Sequence, residues 1–161
     1  MEKRSFTMAL ERHDRHVPFF MGAVRTPDDV EIVPLEIGVG IQTGRRDGQD
    51  RHGRMFRDRE FDICEQSLSS YIIAKSRGAK FTAAPVFPRR LFSQICFFVN
   101  RASGIESPAD LAGKRIGILS FQTTLSVLAK GDLQQEYGVA WRDIHWFVQQ
   151  AEELALEGGV D

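Results

Sequence analysis

The chain has 161 residues, enough for one ordinary domain or for one complete lobe and part of another, but not for two full domains. Its 21 Lys and Arg nearly balance 22 Asp and Glu and the pI is about 6.4, so no global field points to nucleic acid or a membrane surface as partner. Cys64 and Cys96 each lie in an apolar run, where a free thiol packs as a small hydrophobe, so no structural disulfide is expected.

Residues 5–10 read as a first strand and 16–24 as a short helix, with Pro18 in its first turn. Directly after residues 1–10, the charges at Glu11 and Arg12 cut off any signal-peptide apolar region, and the longest uncharged run, 116–129, is shorter than the roughly 20 residues of a membrane helix. The chain therefore reads as soluble and cytoplasmic. Residues 30–37 alternate as a strand, 38–53 form a charged loop, and 54–59 a short exposed helix ahead of a strand at 61–64. A helix over 67–77 stops at Gly78.

Further along, 81–85 and 95–100 read as two strands separated by a segment whose Pro85 and Pro88 deny it a central sheet position. Ser107, Pro108 and Asp110 open a short helix; a strand at 115–119, a helix at 122–137 stopped by Gly138, and a strand at 143–148 follow. The tail 149–161 has helical composition. Alternating strands and helices predict an α/β fold with a parallel or mixed sheet flanked by helices.

One design occurs twice. Strand 61–64 runs into Glu65, Gln66, Ser67, Ser69 and Ser70 at the start of a helix, and strand 115–119 runs into Ser120, Gln122, Thr123 and Thr124 at the start of another. Free N–H groups, the positive end of a helix dipole and hydroxyls converge at such a turn, which suits a carboxylate or phosphate. Two turns facing one concavity would hold a small molecule with two acidic groups.

The ordered run Arg59 to Tyr71, then Pro85-Val86-Phe87-Pro88 with Arg90, then Gly104-Ile105, Ser107 to Gly117, and Tyr137-Gly138-Val139 before Trp146 resembles the 4,5-dihydroxyphthalate decarboxylase family. That resemblance covers roughly residues 5–148 and implies a type 2 periplasmic-binding-protein-like fold with a ligand between two lobes: here 1–100 as the N-terminal part of the first lobe, and 101–161 as the hinge crossing and part of the second. Family members run to about twice this length, so a C-terminal truncation is expected, leaving a chain that either forms a homodimer or exposes an apolar face. The chain departs from the family's Phe-Arg-His at Phe92-Ser93-Gln94, from its Glu-Tyr-Gln at Ser120-Phe121-Gln122, and from a later Arg at Lys130.

The resemblance implies an aromatic carboxylate as ligand and loss of CO2 as chemistry, without a cofactor. Such a reaction needs a proton carrier and anchors for the carboxylate that stays. Glu65 and His16 are the candidate proton carriers, although Glu65 at a helix start can equally serve the dipole. Arg90 after the proline segment is the candidate bidentate anchor. Arg15, Ser67, Ser69, Ser70, Ser120, Gln122 and Thr123 complete the candidate binding set, the hydroxyls doubling as potential caps. His13 and His16 are three apart, but spacing places no third ligand, so no metal is expected. Two further readings stay open: a non-catalytic carboxylate-binding protein on the same scaffold, and an inactive truncated homologue.

Overall fold

A computed structural model describes residues 3–38 and 51–149. They divide into two compact units, Met1–Ser67 and Leu68–Asp161. The expected helical tail at 150–161 and most of the expected loop at 38–53 lie outside the described residues.

In the first unit β1 (Arg4–Leu10) is the central strand, paired in parallel with β2 (Val30–Glu36) along its whole length and with the two-residue β3 (Ile63–Cys64) on its other side. β1 becomes more buried toward its carboxyl end, where Ala9 and Leu10 are buried, as is Phe61, and β2 is half-buried along most of its length. So short a β3 needs help. Asp62 supplies it: its carboxylate accepts from Thr7 N–H and Thr7 Oγ1, both at 2.8 Å, and its own N–H donates to Thr7 Oγ1 at 3.1 Å.

The expected helix at 16–24 is shorter than the sequence suggests. A 3-10 turn (Asp14–His16) leads to a single turn, α1 (Val17–Phe20), because the left-handed Gly22 turns the chain away. The helix expected at 54–59 is present as α2 (Arg51–Gly53) continued by a widened π-type turn (Arg54–Asp58), which ends on Arg59 at φ +50°.

The second unit is a β-α-β motif with an extra helix. α3 (Leu68–Ser76) comes first; β4 (Arg115–Ile118), α4 (Thr124–Tyr137) and β5 (His145–Val148) then form a parallel two-stranded sheet with its crossover helix. Gly138 at φ +68° ends α4, and Val139 N–H closes on Leu133 O at 2.9 Å. Leu111, Leu133, Val139 and Ile144 form the buried core of this unit, flanked by Phe97, Ile105, Ile116 and Trp146.

Two sequence expectations fail here. Residues 81–85 and 95–100 are not strands: the second segment begins in a 3-10 turn (Ser93–Cys96) and the rest is irregular. Their apolar character is real, but a strand exists only with a neighbour to hydrogen-bond, and the described residues provide none. Phe98 stands 90% exposed, with Phe92 and Ile95 also on the surface. Among the described residues the strands form two small sheets, both all-parallel, which is one of the two sheet types that the alternation of elements allows. Among the described residues no helix is long and apolar enough to cross a membrane.

The helical turn at Pro108–Leu111 is fixed by a capping box in which Asp110 Oδ2 accepts from Ser107 N–H (2.8 Å), Glu106 N–H (3.0 Å) and Ser107 Oγ (3.1 Å). Those backbone donors, Ser107 first, hold the Asp110 carboxyl below the usual range, as Thr7 does for Asp62. A lowered folded-state pKa means that the contribution is present above the unfolded value and is lost as pH falls through the folded one. Stability should therefore decline on acidification below about pH 4. Asp110→Asn should flatten part of that decline in denaturant titrations run at several pH values; an unaltered pH profile would show that the box contributes nothing to acid sensitivity.

Candidate functional site

In the first unit the chemistry collects at the carboxyl edge of the sheet. β1 lies between β2 and β3, so the chain leaves it to one side and then the other, and in open parallel sheets a ligand binds outside the strand ends at such a switch. The residues following the three strands are Ile37, Glu11 and Glu65. A single guanidinium, Arg51, joins them: Nη2 pairs with Glu65 Oε2 at 2.8 Å, Nε donates to Glu65 O at 3.1 Å, Nη1 donates to Ile37 O at 3.1 Å and lies 3.6 Å from Glu11 Oε2. Arg51 is 3% exposed. Only arginine's rigid fork of five donors can serve several acceptors at once in so little space.

Two histidines complete this edge. His13 Nε2 lies 3.3 Å from Glu11 Oε2, and His16, 4% exposed, places Nδ1 2.7 Å from Glu11 O. Of the sequence-predicted residues in this unit, Glu65 and His16 are thus drawn to the same edge through Arg51 and Glu11. Ser67 is half-buried, and Arg15 is exposed on the 3-10 turn. Among the described residues no group of three His, Cys, Asp or Glu is arranged to hold a metal.

The second unit brings the two hydroxyl-rich turns into contact. Ser69 N–H at the start of α3 donates to Thr124 Oγ1 at 3.1 Å, and Ser69 Oγ donates to Gln122 O. Ser70 is fully buried beside it. Thr123 caps α4, its Oγ1 accepting from Ser126 N–H at 3.3 Å and donating to Ser126 Oγ at 2.8 Å. Ser120 is 3% exposed, and its Oγ has no hydrogen-bond partner among the described residues. Gln122 is also buried. Arg90 stands exposed in the irregular segment between α3 and the next turn.

Lys130, buried on α4, reaches back to this turn. Its Nζ donates to Phe121 O at 2.8 Å and sits 3.0 Å from the centre of the Phe121 ring, with Trp146 at 5.8 Å. Desolvation makes a cation–π contact worth about 2 kcal/mol. Lys130→Met keeps the stem and removes the charge, so it should lower unfolding free energy by about 2 kcal/mol in urea followed by tryptophan fluorescence. A loss well under half of that would show the ammonium to be energetically idle.

Sequence reasoning missed Glu11 and Arg51 as parts of the first of these edges. Glu11 had a signal, an acid directly after an apolar strand as Glu65 is. Arg51 had none, being one of several arginines in a charged stretch. Two positions where the chain departs from the resembled pattern, Ser93 and Gln94, both donate to Asp132 Oδ2 on α4.

Residues 36–161, more than three quarters of the sequence, match the model of the family described as NMT1/THI5 like. The chain belongs to the NMT1/THI5-like family. This is a family of the type 2 periplasmic-binding-protein-like kind, and the parallel sheets with their strand-to-helix turns are what such an α/β fold requires. Among curated proteins, this NMT1/THI5-like chain is 38% identical over 147 residues to a 4,5-dihydroxyphthalate decarboxylase of Comamonas testosteroni, covering 91% of the chain and 42% of that relative. It is 33% identical over 147 residues to a 4,5-dihydroxyphthalate decarboxylase of Pseudomonas putida, covering 91% of the chain and 53% of that relative. The chain thus spans about half the length of the curated relatives it matches.

Proposed function

We propose that this NMT1/THI5-like protein binds a small aromatic carboxylate or dicarboxylate and acts on it as a carboxy-lyase, releasing CO2. The observation that carries the binding part is the meeting of the two hydroxyl-rich turns in the second unit, where Ser69 reaches Gln122 and Thr124 and the buried Ser120 hydroxyl is left with acceptor and donor capacity to offer. Helix starts with hydroxyls and N–H groups at one place suit an anion better than any other ligand. The lyase part is supported by the names of the two relatives.

In this reading Arg90, exposed and able to fork onto a carboxylate, is the charged anchor; Ser67, Ser69, Ser70, Ser120, Gln122 and Thr123 supply neutral donors and Arg15 a second guanidinium. His16 and Glu65 are the proton carriers. Glu65 accepts from Arg51 in the structure, so it would have to release that ion pair before donating a proton. A second reading, a binding protein without chemistry, is favoured by that ion pair and by the neutral Ser120 where the resembled family carries an acid.

Calorimetric titration with benzene-1,2-dicarboxylate, alongside a CO2-release assay with 4,5-dihydroxyphthalate, separates these readings. Saturable binding with CO2 release supports the lyase, binding without release supports the second reading, and absence of binding overturns both. Arg90→Ala should weaken dicarboxylate binding by about 1.5–3 kcal/mol, the scale of a charge-assisted hydrogen bond, with Tm unchanged because the side chain is exposed. Equal affinity in both proteins would retire Arg90 as an anchor.

A further inference from the structure

We infer that the second unit binds a small organic cation, an ammonium group on a single ring or branched chain, in the cavity beside the carboxyl end of α4. The inference is independent of the proposed function, whose ligand is an anion.

The cavity measures about 230 Å³ and lies wholly within the second unit. Phe97, Ile105, Leu111, Leu133 and Tyr137 give it an apolar wall, and two of these, Leu111 and Leu133, belong to the buried core of the unit. Small-molecule sites are mostly apolar, with a few polar groups that fix orientation. This one is smaller than the roughly 300–1,000 Å³ of drug-sized pockets, so it suits one ring or a branched alkyl group.

Two carboxylates, Glu106 and Asp132, complete the lining, and no lysine, arginine or histidine belongs to it. Ser93 Oγ and Gln94 Nε2 both donate to Asp132 Oδ2, but both donors are neutral and leave its charge in place. Among the described residues neither carboxylate has an ion-pair partner. Charges of one sign beside low-dielectric walls focus their field into a cleft. Tyr137 is the last residue of α4, so the negative end of the helix dipole adds to that field. An anion is repelled here, and an alcohol gains only from the apolar wall. An ammonium gains from both, and the rings of Phe97 and Tyr137 suit a cation as well. The place is also separate from the hydroxyl-rich turns: Asp132 stands eight residues beyond Thr124 on α4, about 12 Å along the helix axis.

The test uses three probes of one size on the full chain, followed by methyl NMR: benzylammonium, benzyl alcohol and benzoate. Benzylammonium should shift the methyl resonances of Ile105, Leu111 and Leu133 saturably and bind at least fivefold tighter than benzyl alcohol. Benzoate should leave those resonances in place, and added salt should narrow the gap between the first two probes. Asp132→Asn keeps an acceptor for Ser93, and combined with Glu106→Gln it should bring ammonium and alcohol within twofold of each other while the alcohol binds as before. Should the double variant fail to fold, Glu106→Gln alone, on an exposed residue, should still narrow the gap. Equal affinity of wild type for ammonium and alcohol, a gap unchanged in the variants, or shifts confined to methyls outside the cavity overturns the inference, as does the absence of any response to benzylammonium. None of these results bears on dicarboxylate binding, which is titrated separately.

Discussion

Replacing Arg51 with alanine is expected to destabilise the first unit by about 3–5 kcal/mol, the cost of leaving buried charges without their partner. The change strips Glu65 of its 2.8 Å ion pair and Glu11 of its nearest guanidinium, and it also leaves the carbonyls of Ile37 and Glu65 short of a donor. Against a typical domain stability of about 5–15 kcal/mol, such a loss approaches unfolding. Arg51→Lys should recover only part, because an ammonium keeps the charge but not the planar fork that reaches three strand ends. Adding Glu65→Gln to Arg51→Ala should lessen the loss by removing one of the stranded carboxylates. Both Trp residues lie in the second unit, so amide exchange at Ile37 and Glu65, whose N–H groups bond to Leu10 O and Ala9 O, is the better probe. Protection unchanged by Arg51→Ala would show that the ion-pair cluster is surface decoration.

The same cluster bears on chemistry. A glutamate held by a buried arginine is positioned but not available, whereas a histidine with one nitrogen pinned and the other unpartnered is positioned and available. The two proton carriers inferred from the sequence therefore stand in different surroundings. Glu65 pairs with Arg51 at the strand ends, whereas His16 keeps one ring nitrogen without a partner among the described residues. Glu65→Gln is therefore expected to lower stability by weakening the Arg51 pair, read by amide exchange at Ile37 and Glu65.

The parts of the fold that could be read from the sequence are those specified locally. An apolar strand running into a hydroxyl-bearing turn marked both β3 and β4, and Gly78 and Gly138, at φ +82° and +68°, marked where α3 and α4 stop. The direct bonds of Ser69 to Gln122 and Thr124, more than fifty positions away, go beyond the sequence reading, which has the two turns only facing one concavity. What escaped was non-local. Arg51 acquires its task only where three strand ends converge, and nothing in its neighbours' identities says so. The apolar runs at 81–85 and 95–100 carry β-like composition, yet composition cannot supply the partner strand that a ladder requires. Lys130 was noticed as a departure from a family pattern, but its seat over Phe121 depends on a helix turning back on its own N-terminal loop.

Leu133→Ala is expected to cost the second unit about 2–5 kcal/mol, combining lost burial with the cavity left behind. Leu133 is 2% exposed and packs with Leu111, Val139 and Ile144, with Trp146 against the cluster, so few neighbours are free to relax into the space. Leu128 on the same helix provides the control: it is half-exposed, and its truncation should fall within about 0.5 kcal/mol of wild type. Urea unfolding followed by tryptophan fluorescence should order the variants with Leu133→Ala most costly, Lys130→Met next and Leu128→Ala least. This order has a functional consequence, because Leu133 lies one turn beyond Lys130 on α4 and both fix the helix whose first turn carries Thr123 and Thr124. On the proposed function, loosening the core should therefore also weaken dicarboxylate binding, even though Leu133 lies toward the other end of the helix. If the two leucine variants were equally stable, the buried cluster would not be the core that holds this turn in place.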